Sequence, residues 1–182
     1  VFLSTLLAIP STGSAQRCDR TCLSDFITQY LNAMMKHDPE LLRTSSRVRF
    51  TEDTVEMKLG DGLWKNITGL RPYRQDFIDV REGIVGTHTV VEEKGMPVLL
   101  ALRLKVFGLA ISEVETMVVR NRQEGVLFQP DAFKTPNPGM AYEPKKSELD
   151  TREEMIASPR SIPPACAPAA SSCRMCRCRP MP

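Results

Sequence analysis

Apolar positions along this chain recur in two rhythms. From Asp19 to Lys36, the residues Leu23, Phe26, Ile27, Tyr30, Leu31 and Met34 fall at steps of three and four, which predicts a helix with one buried stripe. From Gly83 to Arg120 the rhythm becomes alternation, in three β-rich runs broken at Lys94-Gly95 and at Gly108-Leu109. A glycine at a turn centre supplies the positive φ that tight hairpin turns require, so this stretch predicts a three-strand antiparallel meander. Between the two, His37-Asp38-Pro39 ends the first helix, and Asp38 as N-cap with Pro39 behind it starts a short second one through Leu41 and Leu42. Arg47 to Lys58 reads as a hairpin around Glu52-Asp53, followed by a glycine-rich loop, Leu59 to Trp64, that carries the only tryptophan. Trp64 is expected to be a lid or core plug. Pro72 to Val80 places Tyr73, Phe77 and Val80 on one face of an expected third short helix.

Side chains on a strand alternate faces, so two fixed turns fix the pairing. Val98 then faces Val91 and Val119, Leu100 faces Thr89 and Met117, Leu102 faces Thr87 and Glu115, and Leu104 faces Val85 and Glu113. This mostly apolar side is taken as the inner face. The other carries His88, Val90, Leu99, Arg103, Val114 and Val118, a mixed set suited to solvent or a partner. In this register Glu115 lies among aliphatic neighbours. Such surroundings disfavour the ionised carboxylate and raise its pKa, which suits a general acid or base. The alternative is a purely structural acid, bonded to backbone or to Arg49. A register slipped by one residue would instead make His88 and Arg103 the pocket pair.

Length, charge and cysteine placement narrow the picture further. The 182 residues suffice for one domain with a real core. A formal charge of +2 with interspersed signs gives no footprint for nucleic acid. Residues 1–15, VFLSTLLAIPSTGSA, have the apolar run and the small residues Gly13 and Ala15 of a residual signal peptide, the other reading being a buried N-terminal helix. The run falls well short of the ~20 residues that cross a bilayer, so no membrane association is expected of the mature form. Asn66-Ile67-Thr68 is an N-glycosylation sequon, and with the signal-like start it points to a secreted protein.

Six cysteines lie only at the two ends. Cys18 and Cys22 sit at a helix start, where a mutual bond needs a frayed first turn, so at least one is expected to bond elsewhere. The domain reading is a core over 16–127 and a Pro-rich extended segment over 128–150. Over 151–182, a helix start capped by Thr151 and Glu154 gives way to a Pro/Cys/Arg tail, as an out-of-frame or intron-derived segment would. Cys173, Cys176 and Cys178 lack a second pair at zinc spacing, so no metal is expected. There is no phosphate loop, dinucleotide fingerprint or nucleophile elbow, and no cofactor is expected.

The order helix, short helix, hairpin, helix, meander resembles the α+β cone of nuclear-transport-factor-like and SnoaL-like domains. More narrowly, the Cys-Asp-Arg-x-Cys entry at Cys18, the Leu-Gly-Asp-Gly-Leu-Trp loop ending at Trp64 and the Ile-x-Glu-x-Glu-Thr strand from Ile111 resemble secreted, mostly fungal SnoaL-like proteins. The resemblance spans roughly Cys18 to Ala157. Members usually continue, beyond the position of Ile156, into a further helix-led segment with more cysteines. It implies a fold of N-terminal helices on a curved antiparallel sheet, and a pocket between helices and sheet lined by Tyr30, Met34, Trp64, Tyr73, Phe77, Thr87 and Leu102. The function it implies is binding of a small apolar molecule or a protein partner. The alternative is a cofactor-free isomerase or cyclase acting on a polyketide- or terpenoid-like substrate with Glu115 as general base. It also implies a homodimer through Val90, Leu99, Val114 and Val118.

Overall fold

The computed structural model describes residues 18–136, 138–142 and 145–157. The signal-like segment and the four C-terminal cysteines lie outside the described residues. The described chain divides into two compact units between Ala141 and Tyr142.

The first unit opens with helix α1, Arg20–Met35, whose N-cap Asp19 accepts a hydrogen bond from the Cys22 N–H. Cys18 and Cys22 are bonded to each other. This corrects the expectation of partners elsewhere: the cap residue Asp19 is extended and Cys18 lies ahead of the helix, so the bridge closes without unwinding the first turn. A 3-10 turn, Pro39–Leu41, follows with Asp38 as its cap. Next come β1 (Thr44–Glu52), β2 (Val55–Met57), the short helix α2 (Leu63–Asn66), β3 (Ile67–Asp79), β4 (Ile84–Glu93), β5 (Met96–Phe107) and β6 (Ala110–Val119). The six strands form one sheet in the order β2-β1-β6-β5-β4-β3. It is a mixed sheet rather than a wholly antiparallel one, because β1 runs parallel to β6. The fold is α+β.

Two further expectations are corrected. Pro72 to Val80 is not a helix but belongs to β3. Tyr73 and Phe77 share a face at four-residue spacing in either conformation, and here pairing with β4 decides the matter. The Thr87 and Thr89 hydroxyls donate to the carbonyls of Gln75 and Tyr73. The meander turns fall where the sequence puts them, with positive φ at Lys94, Gly95, Gly108 and Leu109. The β4–β5 register is the expected one. The β5–β6 register is not. Val106 pairs with Ile111 but Lys105 pairs with Glu113, leaving Ser112 as a bulge whose hydroxyl donates to the Lys105 carbonyl. From that point every β6 side chain is turned to the opposite face. Val114, Thr116 and Val118 face inward, and Arg103 pairs with Glu115.

The core lies between α1 and the sheet. It is built from Leu23, Ile27, Tyr30 and Met34 of α1, Trp64 of α2, and Val85, Leu100, Leu104, Ile111 and Val114 of the sheet. A polar clamp fastens α1 to β3. Asp76 Oδ2 accepts from Arg74 Nη2 at 2.6 Å and from Ser24 Oγ at 2.9 Å, while Arg74 Nη1 donates to Thr28 Oγ1 at 2.7 Å. Partial burial pushes the Asp76 carboxyl up, but bonds from Arg74, Thr87 and Ser24 outweigh it and hold its pKa below the ordinary value. A folded-state pKa below the unfolded one adds stability at neutral pH that is lost as pH falls through the folded value. Asp76→Asn is therefore expected to cost about 1–3 kcal/mol at pH 7. Urea unfolding should show that deficit shrinking as pH is taken below ~4, the ordinary Asp value.

The second unit contains a 3-10 turn, Lys146–Glu148, and the helix α3, Arg152–Ala157. Thr151 and Glu154 form the expected capping box: the Glu154 carboxylate accepts from the Thr151 N–H, and the Thr151 hydroxyl accepts from the Glu154 N–H.

Candidate functional site

The interior between helix and sheet is filled by its own side chains. The Trp64 indole N–H donates to the Tyr30 hydroxyl at 2.7 Å, and the two rings meet edge to face with centroids 5.1 Å apart. The His37 Nδ1–H donates to the Trp64 carbonyl at 2.5 Å. Burial raises the Tyr30 hydroxyl pKa far above its ordinary value, against the bond from Trp64, and the nearby Glu52 charge adds to the rise. Tyr30, Met34 and Trp64 are thus buried as core and not as the walls of an open pocket, while Thr87 and Leu102, also buried, border the cleft on the other sheet face. Trp64 is a core plug.

Glu115 is displaced from its expected place by the bulge at Ser112. Its side chain is 45% exposed and its carboxylate lies 3.4 Å from Arg103 Nη1. Glu113 shares that nitrogen at 3.1 Å. The apolar enclosure is absent, which removes the premise for Glu115 as a buried base.

The same displacement creates a different site on the sheet face away from α1. Rows across the strands place Phe77 beside Gly86, Arg103 and Glu115, and Gln75 beside His88, Ala101 and Met117. Phe77, Ile84, Gly86, His88, Ala101, Arg103, Glu115 and Met117 line a cleft of about 560 Å³. Phe77 packs edge-on against the His88 ring at 5.0 Å. Gly86 and Ala101, on neighbouring strands, form a floor with almost no side chain. A β-carbon added at Gly86 would come within 3.3 Å of the Leu102 carbonyl oxygen.

The register slip brings His88 and Arg103 together with Phe77 and Glu115, and leaves Tyr73 in a smaller neighbouring hollow of about 210 Å³, closed by Phe133. Phe133 packs on Tyr73 with ring centroids 5.0 Å apart, and Arg71 Nη1 donates to Asp131 at 2.6 Å, tying the segment after β6 to β3. Of the expected dimer residues, Val90 and Leu99 line this hollow, whereas Val114 and Val118 are turned into the core by the bulge. The sequence pairing puts Ile84, Gly86 and Ala101 on this outer face without singling them out as site residues, and puts Met117 on the inner one, from which the bulge turns it. The available signal was the pair of small residues inside strongly apolar strands, where a glycine marks a bulge or a close approach.

A second polar centre also went unread. Arg120 Nε donates to Glu93 Oε2 at 2.6 Å, and its Nη2 donates to Glu52 Oε1 at 3.3 Å. Glu52 is only 8% exposed and its other oxygen accepts from the Leu63 N–H. Bonding to Glu93 raises the Arg120 pKa against the cost of burial, with help from Glu52. The cluster closes around one cation and reads as structural. The sequon residue Asn66 stands half-buried at the end of α2, its carbonyl accepting from the Lys94 N–H.

No family model matches this sequence, and no curated protein matches it. Similar solved structures include a de novo designed protein with a curved β-sheet, at 15% identity and TM-score 0.47 over 59% of this chain and 93% of that one. AclR, a candidate hydroxylase from Streptomyces galilaeus, is 13% identical with TM-score 0.41 over 78% of this chain and 97% of its own. An NTF2-like protein of unknown function from Shewanella baltica is 15% identical with TM-score 0.37 over 54% and 92% respectively. At these levels the comparisons assign the chain to no family.

Proposed function

We infer that this chain is a secreted SnoaL-like domain that binds a small apolar molecule, in the cleft on the outer sheet face and not inside the cone. The observation that carries this reading is the cleft itself. Its 560 Å³ lies within the ~300–1,000 Å³ range typical of small-molecule sites, and its walls are mostly apolar with a few polar groups, Asp79, His88, Arg103 and Glu115, among them. The interior, where the resemblance implies a pocket, is occupied by Tyr30 and Trp64. Titration with the neutral dye Nile red tests the reading. Saturable binding is expected, and Gly86→Val or Ala101→Leu, by filling the floor, should weaken it about tenfold or more. Tyr30→Phe, buried on the other side of the sheet, should leave the affinity unchanged. Equal affinity in all four proteins, with unfolding midpoints confirming that each is folded, would remove the cleft from consideration.

Secretion is supported by the Cys18–Cys22 disulfide, a bond that persists in oxidising compartments, and by the sequon at Asn66. Expressed in a eukaryotic host, the chain is expected in the culture fluid. Peptide N-glycosidase should sharpen and speed its band in the wild type but not in Asn66→Gln. An enzyme-insensitive product retained inside the cells would overturn this route.

A further inference from the structure

The chemistry at the polar side of the outer cleft narrows what it can hold, given the reading of that cleft as a binding site. Arg103 reaches Glu113 and Glu115 through Nη1 at 3.1 and 3.4 Å. Among the described residues, no other nitrogen of this guanidinium is engaged in a hydrogen bond or ion pair, and only one oxygen of Glu115 is taken. A guanidinium carries five N–H donors and a carboxylate accepts through both oxygens, so an unused donor and an unused acceptor stand side by side.

Charge decides among ligands. A carboxylate drawn to Arg103 would be set against two glutamates that already neutralise it. An ammonium drawn to Glu115 would meet the Arg103 guanidinium 3.4 Å from that carboxylate. A hydroxyl meets neither penalty, since its oxygen accepts from Arg103 while its proton goes to Glu115. Shape narrows the class further. Gly86 and Ala101 leave a nearly bare strip of sheet between Phe77 on one side and Met117 on the other, a slot suited to a flat ring, with Phe77 and the Met117 sulfur as partners for its edges and face.

We propose that the cleft selects neutral, flat aromatic molecules bearing a hydroxyl group, held through that hydroxyl by the Arg103–Glu115 pair. Four probes of one ring system separate the terms: naphthalene, 2-naphthol, 2-naphthoate and 2-naphthylmethylammonium, titrated against the intact chain with the Gly86 and Ala101 amide resonances as reporters. The naphthol is expected to bind about tenfold more tightly than each of the others. Removing both acids, Glu113→Ala with Glu115→Ala, frees the Arg103 charge. Because both glutamates are substantially exposed, at 41% and 45%, the fold should survive, and the order should invert, naphthoate overtaking naphthol.

If naphthoate or the ammonium binds best to the wild type, or the double variant keeps the wild-type order, the hydroxyl inference fails and the cleft remains a binding site. If no probe moves the two amides at millimolar concentration, the cleft reading falls and takes the inference with it. The same follows if sedimentation and amide protection show a second copy of the chain covering Gly86 and Met117.

Discussion

Trp64→Ala is expected to lower unfolding free energy by about 3–5 kcal/mol, the usual cost of truncating a fully buried large aromatic. Trp64 is 1% exposed, packs edge-on against Tyr30, and shares the core with Leu63, Phe50 and Met34. Part of the loss is polar. The indole N–H has the Tyr30 hydroxyl as its acceptor, so Tyr30→Phe alone should cost about 1–3 kcal/mol by leaving a buried donor unpaired. Trp64→Phe in the Tyr30→Phe background removes that donor as well, and should then cost less than the same change in the wild type. Urea midpoints read at constant slope give all four corners of the cycle. Strict additivity would mean that ring packing alone, and not the hydrogen bond, holds the pair together.

Arg120→Met is expected to be comparably severe, about 3–5 kcal/mol, for an electrostatic reason. Glu52 and Glu93 are 8% and 13% exposed, and Arg120 is the cation bonded to both. Removing one partner of a buried pair leaves an uncompensated charge, which costs far more than the intact pair contributes. Glu52→Gln and Glu93→Gln, added to Arg120→Met, should therefore restore part of the lost stability although they delete further polar contacts. A triple variant less stable than the single one would show that Arg120 acts through the packing of its stem and not through its charge.

The elements the sequence made legible are those with a strong local signal. The α1 stripe has helical period, Asp38-Pro39 supplies a cap and a first-turn proline, and the two meander turns announce themselves by glycine. The Pro72–Val80 reading went wrong because Tyr73 and Phe77, four residues apart, satisfy strand and helix alike, and only the neighbouring strand decides. The Glu115 reading failed for a non-local reason. A straight hairpin from Gly108-Leu109 leads to the expected pairing, and nothing in the composition of β6 announces that Ser112 stands outside the ladder. The outer cleft was half legible: His88, Arg103 and the small residues Gly86 and Ala101 follow from the β4–β5 pairing that the turns predict, whereas Glu115 and Met117 reach that face only through the bulge in β6.

Ser112 also fixes how this chain can be compared with others. A strand one codon shorter at that point would pair Glu113 with Lys105 and Val114 with Leu104 in an unbroken ladder, so in-frame loss of this serine is expected to keep Val114 and Val118 in the core. Any alignment that runs through β6 without a gap at Ser112, against a protein lacking the extra residue, would match inward positions with outward ones along the rest of the strand. Counting residues between the glycine turn and the inward valines is thus a better guide to kinship here than the identity of the residues counted.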